Sequence, residues 1–184
     1  RAVSFTGSTE VGCQIYAEGA RQMKKCQCEM GGKNPVVVLA DADLPLAVES
    51  AVFGAFGSTG QRCTATSRVI VEESVAGKFT EMIVARMEKL RTGNGLEAQT
   101  DIGPSVDEGQ MGTVLKYIDI GKDEGARIVK GGNRIKGGGH DAGYFVEPTL
   151  FDSVTPAMRI AQEEIFGPVI SLLRVKNFEE ALEV

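Results

Sequence analysis

Apolar and polar positions change period several times along this chain, and each change marks an element. Ala2-Val3-Ser4-Phe5-Thr6 reads as a short buried strand. Behind Gly7-Ser8-Thr9, the residues Val11, Ile15, Ala17 and Ala20 recur at roughly helical spacing, with Ser8 or Thr9 as the cap. From Lys24 to Glu29 the period falls to two, placing Cys26 and Cys28 on an inward face and Gln27 and Glu29 opposite. Asn34-Pro35 breaks the chain before Val36-Val37-Val38-Leu39-Ala40, an apolar run of the kind found in buried parallel strands.

Asp43 caps a helix that carries Leu44, Ala47, Val48, Ala51, Val52 and Ala55. A glycine-rich polar segment around Cys63 precedes the strand Arg68–Glu72. Phe79, Ile83, Val84 and Met87 then form the apolar stripe of a helix from about Val75 to Leu90. Further elements are a helix over 107–123, a strand over 126–129 and a strand over 144–150, where Pro148 signals an edge or an end. The glycine-rich stretch 131–143 reads as an exposed hairpin or loop. Val169–Leu173 is a late buried strand, and Asn177 caps a final helix. This alternation predicts an α/β protein with a mostly parallel sheet and flanking helices.

Composition changes that picture little. Of 184 residues, 42% are hydrophobic and 24% charged, as in ordinary globular chains. A net charge of -5 gives no electrostatic case for nucleic acid or an anionic membrane as partner. No apolar run approaches the roughly 20 residues of a membrane span. The chain opens on Arg1 without an initiator methionine or a signal peptide, which suggests a piece of something longer. Cys13, Cys26, Cys28 and Cys63 form neither a C-x-x-C pair nor a zinc pattern, so no metal is expected and the cytoplasm is the default location.

The candidate chemistry centres on Cys63, in Gly57-Ser58-Thr59-Gly60-Gln61-Arg62-Cys63-Thr64-Ala65. A thiol in a polar, glycine-rich setting beside Arg62 can be a nucleophile, and its thioesters are labile. It can equally be a small buried hydrophobe. Cys26 and Cys28 on the strand and Cys13 in the helix read as structural. With one histidine in the chain, His140, a carboxylate would have to handle protons. Glu29 ends a strand before Gly31-Gly32, where backbone can approach a ligand closely. By position alone Glu29 reads as a solvated side chain, and Lys33 as a surface charge. Gly7 and Ser8 join a strand to a helix N-terminus, a suitable place for a phosphate, without the full G-x-G-x-x-G fingerprint. Glu163-Glu164-Ile165-Phe166-Gly167-Pro168 sets two carboxylates before a turn, and taken locally is a charged loop with one aromatic anchor.

In this order, Phe5-Thr6-Gly7-Ser8, Glu29-Met30-Gly31-Gly32-Lys33, Gly60-Gln61-Arg62-Cys63 and Glu163-Glu164-Ile165-Phe166-Gly167-Pro168-Val169 resemble the aldehyde dehydrogenase superfamily over essentially the whole chain. The 34-residue step from Glu29 to Cys63 fits as well. Asn34-Pro35 and the surroundings of Cys63 resemble its semialdehyde enzymes, of the 2-oxoglutarate semialdehyde dehydrogenase type. The resemblance implies Cys63 as the nucleophile toward an aldehyde and Glu29 as the base that activates water. It implies NAD or NADP as cofactor, with Gly7 and Ser8 at the pyrophosphate, Glu164 at the nicotinamide ribose and Phe166 near the ring. It further implies that 1–29 is a remnant of the dinucleotide-binding domain and 30–184 a catalytic α/β domain, truncated at both ends relative to a longer, homo-oligomeric parent. Alternatives are an acylating relative that passes the acyl group to coenzyme A, a folded but inactive fragment, and a cysteine hydrolase. Glu29 argues against the first, and the lack of a placed histidine against the last.

Overall fold

In the computed structural model, residues 1–184 are described, and they divide into two units, Arg1–Gly32 and Lys33–Val184. The first unit is a strand–helix–strand motif: β1 (Ala2–Gly7), α1 (Thr9–Arg21) and β2 (Lys25–Met30). The strands pair in parallel, in register from Ala2 opposite Lys25 to Gly7 opposite Met30. The Ser8 hydroxyl oxygen caps α1 by accepting from the Val11 N–H at 3.3 Å. Helix α1 packs through glycine rather than through the expected stripe. Gly12 and Gly19 are buried while Val11 is 43% exposed. A Cβ at Gly12 would strike Met30, and one at Gly19 would strike Cys26. Cys26 and Cys28 lie half-buried on the inner face of β2, as its alternation predicts. Cys13, expected to be structural, is exposed; one residue past buried Gly12, it has rotated some 100° off the packed face.

The second unit is a five-stranded sheet with helices on both faces. Its elements are β3 (Asn34–Val38), α2 (Leu44–Phe56), β4 (Thr66–Glu72), α3 (Glu73–Met87), α4 (Glu108–Asp123), β5 (Arg127–Lys130), β6 (Thr149–Asp152), α5 (Arg159–Gln162), β7 (Val169–Val175) and α6 (Phe178–Glu183). The strand order is β3-β4-β7-β6-β5, parallel throughout except for β5 against β6. The α/β class with a mostly parallel sheet is therefore as the sequence predicts.

Two-residue alternation sorts the core. Val69, Val71, Ile170 and Leu172 pack with Val48 and Val52 of α2 and Phe79 and Ile83 of α3. Val169 and Leu173 turn to the other face, with Val114 and Ile118 of α4 and Ile160 of α5. Each large side chain so buried contributes about 1.5–3 kcal/mol. Strand β7, buried on both faces, is the centre of the unit.

Three expectations need correction. The apolar run 36–40 is not a strand buried on both faces: β3 occupies a sheet edge, starts at Asn34, and leaves Val37 40% exposed. The strand expected over 144–150 is β6, Thr149–Asp152; upstream only an isolated bridge joins Arg134 and Val146. Pro148, which has no N–H to donate, marks the boundary. Finally, α5 and a 3-10 turn at Gly57–Gly60 went unpredicted, each being too short to display a period.

Candidate active site

Parallel neighbours share a direction, so the segments that enter them gather at one end of the sheet. Strands β3, β4 and β7 are adjacent and parallel. Lys33-Asn34, Cys63-Thr64-Ala65 and Ile165–Pro168 each lead into one of them. Topology thus collects the Cys63 motif and the Glu164–Phe166 motif at the amino end of the same three strands. In the first unit Gly7 and Glu29 lie instead at the carboxyl ends of β1 and β2, opposite Met30 and Thr6 respectively.

Cys63 is exposed and follows a strained turn. Ser58, Thr59 and Gly60 have φ of 53°, 59° and 68°, three left-handed residues in succession. Such conformations cost of order 1–3 kcal/mol at non-glycine residues and persist only where the surroundings hold them. Here the 103–106 segment does so. Thr59 Oγ1 donates to the Gly103 carbonyl at 3.1 Å, Gln61 Nε2 to the Pro104 carbonyl at 3.4 Å, and the Val106 N–H to Gln61 Oε1 at 2.9 Å. Asn34 Nδ2 donates to the carbonyls of Cys63 (2.7 Å) and Ala65 (3.1 Å). Arg62, adjacent in sequence to the thiol, directs Nη2 to the carbonyls of Phe53 and Gly54 at 3.4 and 3.3 Å, with its guanidinium over the Phe53 ring. Its charge serves the end of α2.

The Glu163–Gly167 turn divides its two carboxylates. Glu163 receives a bidentate pair from Arg159 (both 2.8 Å) and the Tyr117 hydroxyl at 2.6 Å. The Arg159 and Tyr117 hydrogen bonds hold it at about 2, well below the usual carboxylate range. Glu164 is exposed and makes no side-chain hydrogen bond. Phe166 is 40% exposed at φ 56°, and Gln110 Nε2 ties down the carbonyls of Ile165 (3.0 Å) and Phe166 (2.9 Å). The turn abuts the Cys63 motif directly, because a Cβ on Gly60 would overlap the Gly167 carbonyl.

Lys33 completes this end of the sheet. Its Nζ is buried without a hydrogen-bond partner. Burial, with the Arg68 charge acting in the same sense, pushes it down to about 8, while Glu164 and Glu163 oppose the shift. Lys33 is therefore no surface charge. In the first unit, the Ser8 hydroxyl accepts its capping bond and so keeps its own proton to donate. Glu29 is exposed on the outward face of β2, with Gln27 Nε2 donating to it at 3.3 Å.

Several residues that build the site were not singled out in the sequence: Asn34, Thr59, Gln61, Gln110, Tyr117 and Arg159. Asn34 read as a break before Pro35 and, with it, as part of the semialdehyde resemblance, without a role of its own at Cys63. Gln110 stands three residues after the cap Asp107, where a glutamine signals a capping box; its side chain goes to the Phe166 turn instead. No local pattern marks the others.

The family model described as the aldehyde dehydrogenase family matches residues 1–184. The alpha-ketoglutaric semialdehyde dehydrogenase of Bacillus subtilis is 48% identical over 183 residues, covering 100% of this chain and 38% of that protein. The 2,5-dioxopentanoate dehydrogenase of Saccharolobus solfataricus is 50% identical over 185 residues, with the same coverage of each. The crystal structure of Staphylococcus aureus betaine aldehyde dehydrogenase in complex with NAD+ superposes with a TM-score of 0.96 at 38% identity, over 99% of this chain and 36% of that one. The chain thus spans less than two fifths of the length of these relatives. With a match along its entire length, it belongs to the aldehyde dehydrogenase family.

Proposed function

We propose that this chain carries the catalytic cysteine of an NAD(P)-dependent dehydrogenase that oxidises an aldehyde to a carboxylic acid. The observation that carries the reading is the contact between two motifs far apart in sequence. The turn before exposed Cys63 packs against the turn that bears Glu164 and Phe166. Nucleophile and cofactor contacts must meet in such an enzyme.

The residues present fit a dinucleotide. Ser8 keeps a hydroxyl donor at the positive end of a 13-residue helix, beside Gly7, which suits a pyrophosphate. Glu164 has free acceptor oxygens for ribose hydroxyls, and Phe166 an exposed ring for an aromatic face. When bound, a nicotinamide supplies the hydride acceptor; the relative solved with NAD+ favours that form. In this reading residues 1–29 belong to the dinucleotide-binding domain and 30–184 to the catalytic domain.

The Cys63 thiolate adds to the aldehyde carbon, forming a C–S bond and an oxyanion. The Cys63 N–H, which has no acceptor within the chain, serves as one donor to that oxygen. Loss of hydride from the carbon leaves a thioester on Cys63. Glu29 takes a proton from water, the resulting hydroxide adds to the thioester, and the C–S bond breaks to release the acid and free the thiolate. A thioester that must be hydrolysed needs such a base, so a carboxylate rather than coenzyme A completes the cycle. Semialdehydes, named for the Bacillus subtilis relative, are the first substrates to assay.

Four free thiols suit a reducing compartment, and we assign the chain to the cytoplasm on that ground. No helix is long and apolar enough to cross a membrane. Neither nucleic acid nor membrane is assigned as a partner, and a homo-oligomer is assigned to the complete protein on its family membership alone.

The test uses exposed Cys13 as an internal control. The protein, expressed from its complete gene, is alkylated with and without a semialdehyde, and the labelled peptides are read by mass spectrometry. Selective protection of Cys63, and acyl adducts accumulating on it in Glu29→Gln when NAD+ is added, support the reading. Equal labelling of Cys13 and Cys63 with no acyl adduct refutes it.

A further inference from the structure

Helix α4 grips the Glu163–Gly167 turn with one stripe of side chains. Gln110, Val114 and Tyr117 stand at positions i, i+4 and i+7, on one face of the helix. Gln110 holds the Ile165 and Phe166 carbonyls, and Val114 packs where a Cβ on Gly167 would fall. The Tyr117 hydroxyl donates to Glu163 at 2.6 Å. Arg159 reaches the same carboxylate from α5 while lying over the Tyr117 ring, and the Arg159 backbone N–H is bound in turn by Glu124 (2.9 Å). The far end of the turn is thus tied to α4 and α5 by a cluster in which both Glu163 oxygens are engaged.

Adjacent residues in extended backbone point their side chains oppositely. A carboxylate pinned at Glu163 therefore fixes which way Glu164 projects. We propose that Tyr117 is a positioning residue for the cofactor contact made by Glu164. It acts through Glu163 and touches no ligand itself. This rests on the reading above that Glu164 meets the nicotinamide ribose. Were Glu163 loose, the two neighbouring carboxylates could exchange roles, and the protonless ribose acceptor would lose its preset direction. Tyr117 also lengthens the reach of α4: the helix that backs Phe166 at its amino end backs Glu163 two turns later.

Tyr117→Phe removes one hydroxyl and leaves the ring for Arg159, so the fold is retained. In the protein from its complete gene, the Kd for NAD+ is expected to rise about tenfold, the order of one hydrogen bond to a charged group. The KM for aldehyde and the alkylation rate of Cys63 should stay unchanged. Carbon-13 titration of the Glu163 carboxyl gives a readout independent of the cofactor: it should move up from about 2 in Tyr117→Phe. In a Glu164→Gln background the tyrosine substitution should weaken NAD+ no further.

The outcomes separate the two ideas. If Glu164→Gln weakens NAD+ but Tyr117→Phe does not, the positioning role is overturned while the cofactor contact stands. If Glu164→Gln has no effect, the cofactor contact at Glu164 fails, and the positioning role with it. An unmoved Glu163 titration in Tyr117→Phe overturns the proposal whatever the cofactor does.

Discussion

The side-chain amide of Asn34 donates to the backbone carbonyl of Cys63 at 2.7 Å and to that of Ala65 at 3.1 Å. One residue at the start of β3 therefore fixes the chain on both sides of Thr64, just before it enters β4. Two carbonyl oxygens need two N–H donors, and only the amide nitrogen supplies them. Asn34 belongs to the support of the Cys63 turn although it lies 29 positions before it in sequence.

Asn34→Ala should cost about 1–3 kcal/mol of stability and lower the rate of Cys63 acylation. Asn34→Asp should be worse on both counts, because it faces two carbonyl oxygens with a carboxylate. Thermal melts and site-resolved alkylation check the order. An aspartate variant equal to or better than alanine would show that the amide contacts do not support the turn.

Gly60 is a second support, by absence of a side chain. It combines φ 68° with a Cβ direction that runs into the Gly167 carbonyl. Gly60→Ala should destabilise by about 2 kcal/mol or more and detach the Cys63 turn from the Glu164–Phe166 turn. Gly77 on α3 is the control: a Cβ there meets nothing within 4 Å, and Gly77→Ala should stabilise by about 0.5–1 kcal/mol. Denaturant melts of the two variants should move in opposite directions.

Much of this was legible in the sequence, and the illegible parts share a cause. The helices α2, α3 and α4 run for 13 residues or more, and the apolar runs of β4 and β7 fall on strands with a neighbour on each side, so local pattern suffices. Strand β3 misled because an apolar run says buried without saying how many faces are covered, and only the strand order reveals an edge. At the site, the motifs pointed to Cys63 and, through the family resemblance, to Glu164, but local pattern gave no physical ground for telling Glu164 from Glu163. Their difference is tertiary: Tyr117, 46 residues before Glu163, takes one and leaves the other. The left-handed run at Ser58 and Thr59 was equally hidden, since neither residue type favours positive φ and the bonds that hold it come from 103–106.

Lys33 should make stability depend on alkaline pH. Its folded value of about 8 lies below the ordinary 10.5, chiefly through burial. Below about 8 both folded and unfolded chains carry the charge, and the folded state bears the full cost of burying it. From there to 10.5 the unfolded chain binds a proton that the folded chain has released, so this group's contribution to stability rises with pH. Lys33→Met should remove the cost, stabilising at pH 7 by up to about 3 kcal/mol, with the gain vanishing near pH 10.5. Melts of both proteins across that range test it; a constant difference would mean that Lys33 is not the titrating group.

His140 makes the opposite kind of pH dependence in the glycine-rich 131–143 loop. Its Nδ1 lies 2.9 Å from the Gly137 carbonyl and its Nε2 lies 3.0 Å from the Thr92 carbonyl. A neutral imidazole carries one N–H and can satisfy one of these acceptors, whereas the cation satisfies both. The Thr92 and Gly137 carbonyls, with the Asp141 charge, accordingly raise His140 above its usual 6.5. Asp141 itself is tied to the Gly137 N–H at 3.1 Å, and Phe145, just past the loop, meets the ring edge-on, so the clip joins the loop to Thr92. A raised folded value places the stabilisation below pH 6.5 and removes it as pH climbs through the folded value. Proton NMR should therefore find the ring titrating above 6.5. After allowance for intrinsic exchange chemistry, amide protection in 137–143 should decline across that same titration. His140→Gln, which cannot take up a proton, should show protection that no longer follows this titration. A loop whose protection ignores the His140 titration would show that the ring rests against these carbonyls without holding them.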